Sequence, residues 1–321
     1  MRTICVSGLV GVLAALLLAG CATPSGDQSL AFAEAERTAW SLDSSQNEMI
    51  VSVSPARQTL QIAGSAGTLI GAGISAISNA KHRDAVLDAL QGYDAGLVFE
   101  KHIAERLHDA LDPNLDRVAP LGSTAGYHSR RDAQAARFEG LAKSGYDLIF
   151  DLDMTYGLFG YEGTLIAKLE GDLYELPRGH ALWRNTLVVS SAPALARDRL
   201  KDPPKQLMPN ITSPRLSIEE DAIAQWTRDG GAVMRQRFEA AVEGVVSATL
   251  TDLGLVDEAL GSYYLGKQAM SQKDQEEAQE LFRHAMELRP GYTDAKNGLS
   301  VSLGHSEQFD EAVALAKEII E

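Results

Sequence analysis

Asp147, Asp151 and Asp153 fall at odd-numbered positions of an alternating stretch, residues 146–156, so a strand's period of two sets the three carboxylates on one face. Acids paired on a common surface could do hydrolytic acid–base work. The same spacing equally describes the solvated face of a half-buried strand, and no histidine or base adjoins it in sequence. His102 and His108 are six residues apart on a helical stretch and face different ways, which argues against a shared metal; His82, His128 and His180 stand alone. H-E-x-x-H, G-x-S-x-G and phosphate-loop patterns are absent, as is S-x-x-K with its companions. The chain therefore offers no recognised catalytic constellation and implies no cofactor or metal.

The remaining reactive side chains are two thiols, Cys5 and Cys21, and their setting is specific. Arg2 precedes an apolar run, residues 9–19, too short to cross a hydrocarbon core of roughly 30 Å comfortably as a helix. It closes as Leu18-Ala19-Gly20-Cys21, which resembles a bacterial lipobox. That resemblance implies a signal peptide over residues 1–20, cleavage before Cys21, and acylation of Cys21 on both sulfur and the new amino terminus. Ala22 in place of aspartate implies sorting to the outer membrane, with the body facing the periplasm. Each buried CH₂ contributes about 0.8 kcal/mol, so a multi-chain anchor is effectively permanent. The mature chain keeps no free thiol. Loss of Arg2 takes the formal charge from −15 to −16, a surface that repels nucleic acid and anionic headgroups. The expected partners are the membrane through Cys21 and periplasmic or outer-membrane proteins, with no nucleic acid.

The elements around these groups divide the chain. Residues 21–47 read as a lipidated tether, with a short helix possible over 30–40, and residues 49–53 alternate as a first strand that stops at Pro55. Residues 58–80 carry no charge and hold Gly64, Gly67, Gly71 and Gly73. The Gly67–Gly71 spacing suits close helix approach, either in a membrane or oligomer or against the body. Helical patterns follow at 81–91, 95–111 and 130–144, with a short strand near 116–120. Three strands then form a meander: 146–156, a second through Leu165, Ala167, Leu169 and Leu173, and a third over 181–191 with Trp183, Leu187 and Val189. Residues 48–197 are thus an α/β sheet domain with a glycine-rich insertion at 58–80. Its element order and the Gly179-His180-Ala181-Leu182-Trp183 motif resemble the small sheet domain of Tol-system, curli-secretion-type and penicillin-binding-protein-activator envelope lipoproteins. Those families imply assembly or regulation of envelope machinery rather than catalysis.

Pro203, Pro204, Pro209 and Pro214 mark a linker over 198–217, and Ser217 with Glu220 forms a capping box opening a helical segment, 218–258, broken at Asp229-Gly230-Gly231. Residues 259–321 carry a 34-residue period that resembles the tetratricopeptide repeat. Leu265, Gly266, Ala278, Phe282, Ala285 and Pro290 match the motif; Ser262 and Ala269 depart from it, standing where large aromatic residues are usual. Small residues sit where paired helices cross, Phe282 fills the space between repeats, and Pro290 ends the second helix. A more divergent copy follows through Leu299, Ser300, Ala312, Ala316 and Ile319. Two repeats are few, so the helix over 231–253 is expected to stack on the first as a cap.

The fold expected is α+β: a small mixed or antiparallel sheet domain with helices, followed by an all-α tetratricopeptide-like helical-hairpin domain. The function expected is a non-enzymatic, protein-binding scaffold of the outer membrane, with Gly266, Ala278, Phe282, Ala285 and Pro290 as the framework of partner docking. The alternatives are an oligomeric secretion or channel component using the glycine-rich segment, and an envelope hydrolase using the aspartate face.

Overall fold

The computed structural model describes residues 27–44, 46, 48–53, 76–111, 115–122, 128–160, 163–191 and 214–320. Cys21 and its leader, the Gly67–Gly71 pair, and Pro203, Pro204 and Pro209 lie outside them. Among the described residues the strands are β1 (Thr38–Asp43), β2 (Ile50–Ser52), β3 (Leu115–Arg117), β4 (Leu148–Phe159), β5 (Thr164–Glu175) and β6 (His180–Ser190). They form one mixed sheet in the order β3-β1-β4-β5-β6. β1 and β2 run parallel to β4 in succession, Thr38 opposite Leu148 and Ile50 opposite Gly157, as one interrupted strand. β4, β5 and β6 make the antiparallel meander, with Phe150 opposite Leu173 and Leu173 opposite Trp183.

β1 corrects two sequence expectations. Residues 30–40 divide: α1 (Asp27–Glu34) is helical, and Thr38 to Asp43 is a strand. The stretch read as a tether, 21–47, thus supplies an inner strand of the sheet. The physical reason is burial, since Ala39, Trp40 and Leu42 all lie inside, and parallel pairing to β4 outweighs the local helical pattern.

Helices cover both faces. α2 (Ala76–Ala89) and α3 (Ala95–Leu111) lie on the main face, where Phe99, Ile103 and Leu107 recur at helical spacing and are buried. α4 (Arg130–Lys143), opened by Ser129 accepting from the Asp132 amide, covers one end of the other face. There Phe138 packs with Ala39, Ile149, Tyr174 and Leu176. The sheet is therefore not open on its second side along its whole length.

The all-helical region is α5 (Pro214–Asp252), α6 (Ala259–Gln272), α7 (Gln275–Leu288), α8 (Thr293–His305) and α9 (Phe309–Ile320). α5 is kinked at the Asp229-Gly230-Gly231 break, where three successive residues take left-handed φ of 52°, 64° and 75°. Beyond it Phe238 meets Tyr156 at 5.3 Å and Phe99 at 6.3 Å between ring centroids, so this half of α5 joins the core of the sheet. Its other side receives α6. Gly244 lies against the Tyr264 ring, and a Cβ on Gly261 would sit 2.7 Å from the Ser247 carbonyl and against Thr251 Oγ1. α8 starts 34 residues after α6 and α9 starts 34 after α7. The two hairpins share a second core built on Ala278, Phe282, Ala285, Ala295, Leu299 and Leu303.

Backbone approach at Gly261 yields a direct test. Gly261→Ala should cost about 1–3 kcal/mol of stability by overpacking the α5–α6 contact. Gly140→Ala, inside α4 with open space around its Cβ position, should instead add about 0.5–1 kcal/mol by helix propensity. Urea unfolding midpoints of the two variants should move in opposite directions.

Candidate docking groove and carboxylate face

The three aspartates share a parity but have separate employments. Asp147 precedes β4, and its Oδ2 accepts from the Glu36 and Arg37 amides at 2.8 and 3.1 Å, fixing the entry to β1. Asp151 is clasped by Arg137, whose Nη1 donates to both carboxylate oxygens at 2.8 and 2.7 Å, and it accepts from Ser41 Oγ at 2.6 Å. Arg137 also donates to the Ala119 carbonyl at 3.0 Å. This pair bolts α4 and the segment before it to the sheet. Arg137, fourteen residues upstream, carried no sequence signal; buried Ile149, of the same parity as the aspartates, was the available sign that a helix covers their face.

Asp153 is different. Burial first, and then the charges of Asp43 and Glu170, push its carboxyl up to about 6; Lys168 and Arg130 oppose the shift. It can exchange a proton near pH 6, but the adjacent acid, Asp151, is committed to Arg137. The paired-acid arrangement of a hydrolase is thus not assembled between them. Among the described residues no group of three or more His, Cys, Asp or Glu could hold a metal.

His102 faces Glu243 on α5 and takes part in the joint between the sheet body and the hairpins. Beside it Arg106 Nη2 donates to Glu258 at 2.6 and 2.7 Å, and Ser247 Oγ donates to the same carboxylate at 2.6 Å. Burial works to raise the Glu258 pKa, but the bonds from Ser247 and Arg106 outweigh it and hold the group below its ordinary value. His82 is buried on α2, whereas His128 and His180 are exposed. None of these histidines shares a site with another.

The framework residues of the hairpins point inward. Gly266, Ala278, Phe282 and Ala285 are buried, and Phe282 fills the space left by Gly266 on α6 and Gly298 on α8. Pro290 is exposed just beyond the end of α7. These residues set how the helices cross rather than meeting a partner themselves.

What the crossing presents is a candidate groove walled by an aromatic cluster, Tyr263 and Tyr264 half-buried, Tyr292 buried and Lys267 exposed. The Tyr263 ring lies 4.9 Å from Tyr264 and 5.3 Å from Tyr292, which precedes α8. Lys267 Nζ stands 5.7 Å from the centroids of Tyr263 and Tyr264, and the Arg289 guanidinium 4.6 Å over Tyr292. Burial lowers the Lys267 pKa, and Asp294 partly restores it. Burial, then Asp294 and Tyr264, push the Tyr263 hydroxyl up to about 12. Among the described residues neither Lys267 nor Arg289 makes an ion pair. Rings backed by unpaired cations suit contact with a polypeptide. Motif matching pointed to the buried framework and missed this surface; the adjacent Tyr263-Tyr264 followed by Lys267 at helical spacing was the available sign.

The Asp153 environment predicts a pH effect with a definite sign. Its folded pKa exceeds the ordinary 3.8, so its contribution to stability is full below about pH 3.8 and is lost as pH rises through about 6. Asp153→Asn should therefore gain stability relative to the parent on going from pH 4 to pH 7. Thermal denaturation at the two pH values checks it.

No protein-family model matches the chain, and comparison with curated proteins finds no match. Among solved structures the chain is similar to the hypothetical protein CT253 from Chlamydia trachomatis at 12% identity, covering 66% of this chain and 99% of that one. The TM-score is 0.24, too low to carry an argument.

Proposed function

We propose that the chain is a non-enzymatic, lipid-anchored outer-membrane protein that holds partner proteins in the α6–α8 groove during envelope assembly or secretion. The observation that carries the reading is the cluster of Tyr263, Tyr264 and Tyr292 with Lys267 and Arg289 unpaired among the described residues, on a chain of net charge −15. Tyrosine and arginine, with tryptophan, are the side chains enriched at the energetic centre of protein interfaces. Cations left free on an acidic molecule favour a partner segment that brings carboxylates and apolar groups together. The 34-residue offset between hairpins agrees with the tetratricopeptide resemblance, whose arrays bind proteins along helix-lined surfaces. The lipobox resemblance at Cys21 supplies the address, and no helix among the described residues is long and apolar enough to cross a membrane.

A photo-reactive residue at Lys267 should capture discrete envelope proteins in living cells. Lys267→Glu, tested with the photo-reactive residue moved to Ser271, should weaken capture by about tenfold or more, a change of about 1.4 kcal/mol. Capture of only lipid and the chain itself, or undiminished capture by Lys267→Glu, would contradict the reading. Cys21→Ala should release the protein from the membrane fraction with its circular dichroism unchanged and should abolish capture; full function of that soluble form would show anchoring to be incidental.

A further inference from the structure

α7 receives α8 through one stripe of three residues. Gln275 Oε1 accepts from Ser302 Oγ at 2.8 Å, Gln279 Nε2 donates to Ser306 Oγ at 3.1 Å, and Phe282 fills the space left by Gly298. One repeat later, 34 residues on, the same positions are Phe309, Val313 and Ala316 of α9. Phe309 is 60% and Val313 52% exposed, and α9 packs against α8 alone among the helices in extensive contact with it. The stripe that docks a helix inside the array is therefore repeated on α9, apolar throughout and, at Phe309 and Val313, uncovered among the described residues. Exposed helix faces of soluble proteins are ordinarily polar.

The charges beside this stripe say what kind of helix fits it. Glu311 pairs with Arg283 at 3.6 Å and Glu318 with Lys296 at 2.9 Å, so these two acids are turned back onto the array. Asp310 and Lys317, seven residues apart along the same flank of the stripe, make no ion pair among the described residues. In two antiparallel α9 helices related by a twofold axis between Val313 and Ala314, Asp310 of each falls opposite Lys317 of the other. Ala316, on the stripe itself, is small enough to let the backbones approach. A parallel pair would instead set like charges together.

We infer that α9 is a self-association surface on which a second copy of the chain docks its own α9 antiparallel, through Phe309, Val313 and Ala316 and two Asp310–Lys317 pairs. The contact is small against the roughly 1,600 Å² of a standard interface, so the dimer is concentration-dependent, with a dissociation constant of micromolar order or weaker. The surface is separate from the Tyr263–Lys267 groove, so the dimer and partner capture stand or fall independently.

Sedimentation velocity of the full chain over a concentration series tests it. The expected result is a reversible dimer that Val313→Glu renders monomeric without change in circular dichroism. Asp310→Lys should weaken it by about tenfold, and Asp310→Lys combined with Lys317→Asp should restore it to within about threefold. A parent chain monomeric throughout, a dimer that survives Val313→Glu, or a charge swap that fails to restore association would overturn the inference.

Discussion

From residue 241 to 250, α5 is buried on every side except at half-exposed Glu243. A helix that is covered all round must be packed all round, and here two different layers do the packing. Phe238 reaches the aromatic rings over the sheet, while Gly244, Ser247 and Thr251 admit α6 at close range. Polar groups seal the same junction: Asp252 accepts from Trp183 Nε1 at 2.7 Å and from Asn185 Nδ2 at 2.8 Å, and Gln268 donates to Asn185 at 3.0 Å. The last strand and the end of α5 thus meet at one carboxylate, and the first hairpin helix joins them through Asn185. Removing one partner of such a part-buried group costs more than the bond itself, because the charge is left without its donor. This node and the Arg106–Glu258–Ser247 network make the hairpins an extension of the sheet body.

Local pattern made much of this legible. Phe99, Ile103 and Leu107 marked α3, the helical pattern over 130–144 marked α4, and alternation through Leu148, Phe150 and Leu152 marked β4. Asp229-Gly230-Gly231 marked the kink, because consecutive left-handed residues are tolerated where side chains are short or absent. Non-local pairing was not legible. Trp40 and Leu42 lie in a six-residue parallel strand whose partner is more than a hundred residues away, and nothing in the sequence around them names β4. The same holds for Arg137 and Asp151, which only the docking of α4 brings together.

The site was legible in part. Small residues at Gly266 and Ala278 and the ring of Phe282 pointed to paired helices, and they describe the inside of the hairpins. The groove depends on what those helices carry outward, and a repeat pattern leaves such positions unspecified. Tyr292 reaches Tyr263 only because α8 returns past α6, so their contact follows from the fold and not from spacing. The three aspartates do not share one environment for a related reason: period two aligns side chains, but Arg137 on the covering helix clasps Asp151 and not Asp153.

Packed on both sides, α5 makes the sheet and the hairpins one cooperative unit. Equilibrium urea unfolding followed by two probes tests it directly, because Trp40, Trp183 and Trp226 all lie in the core that contains the sheet while helical circular dichroism also reports the hairpins. Coincident transitions with a single midpoint are expected. An earlier loss of helical signal at unchanged tryptophan fluorescence would show that the hairpins unfold on their own and would contradict it.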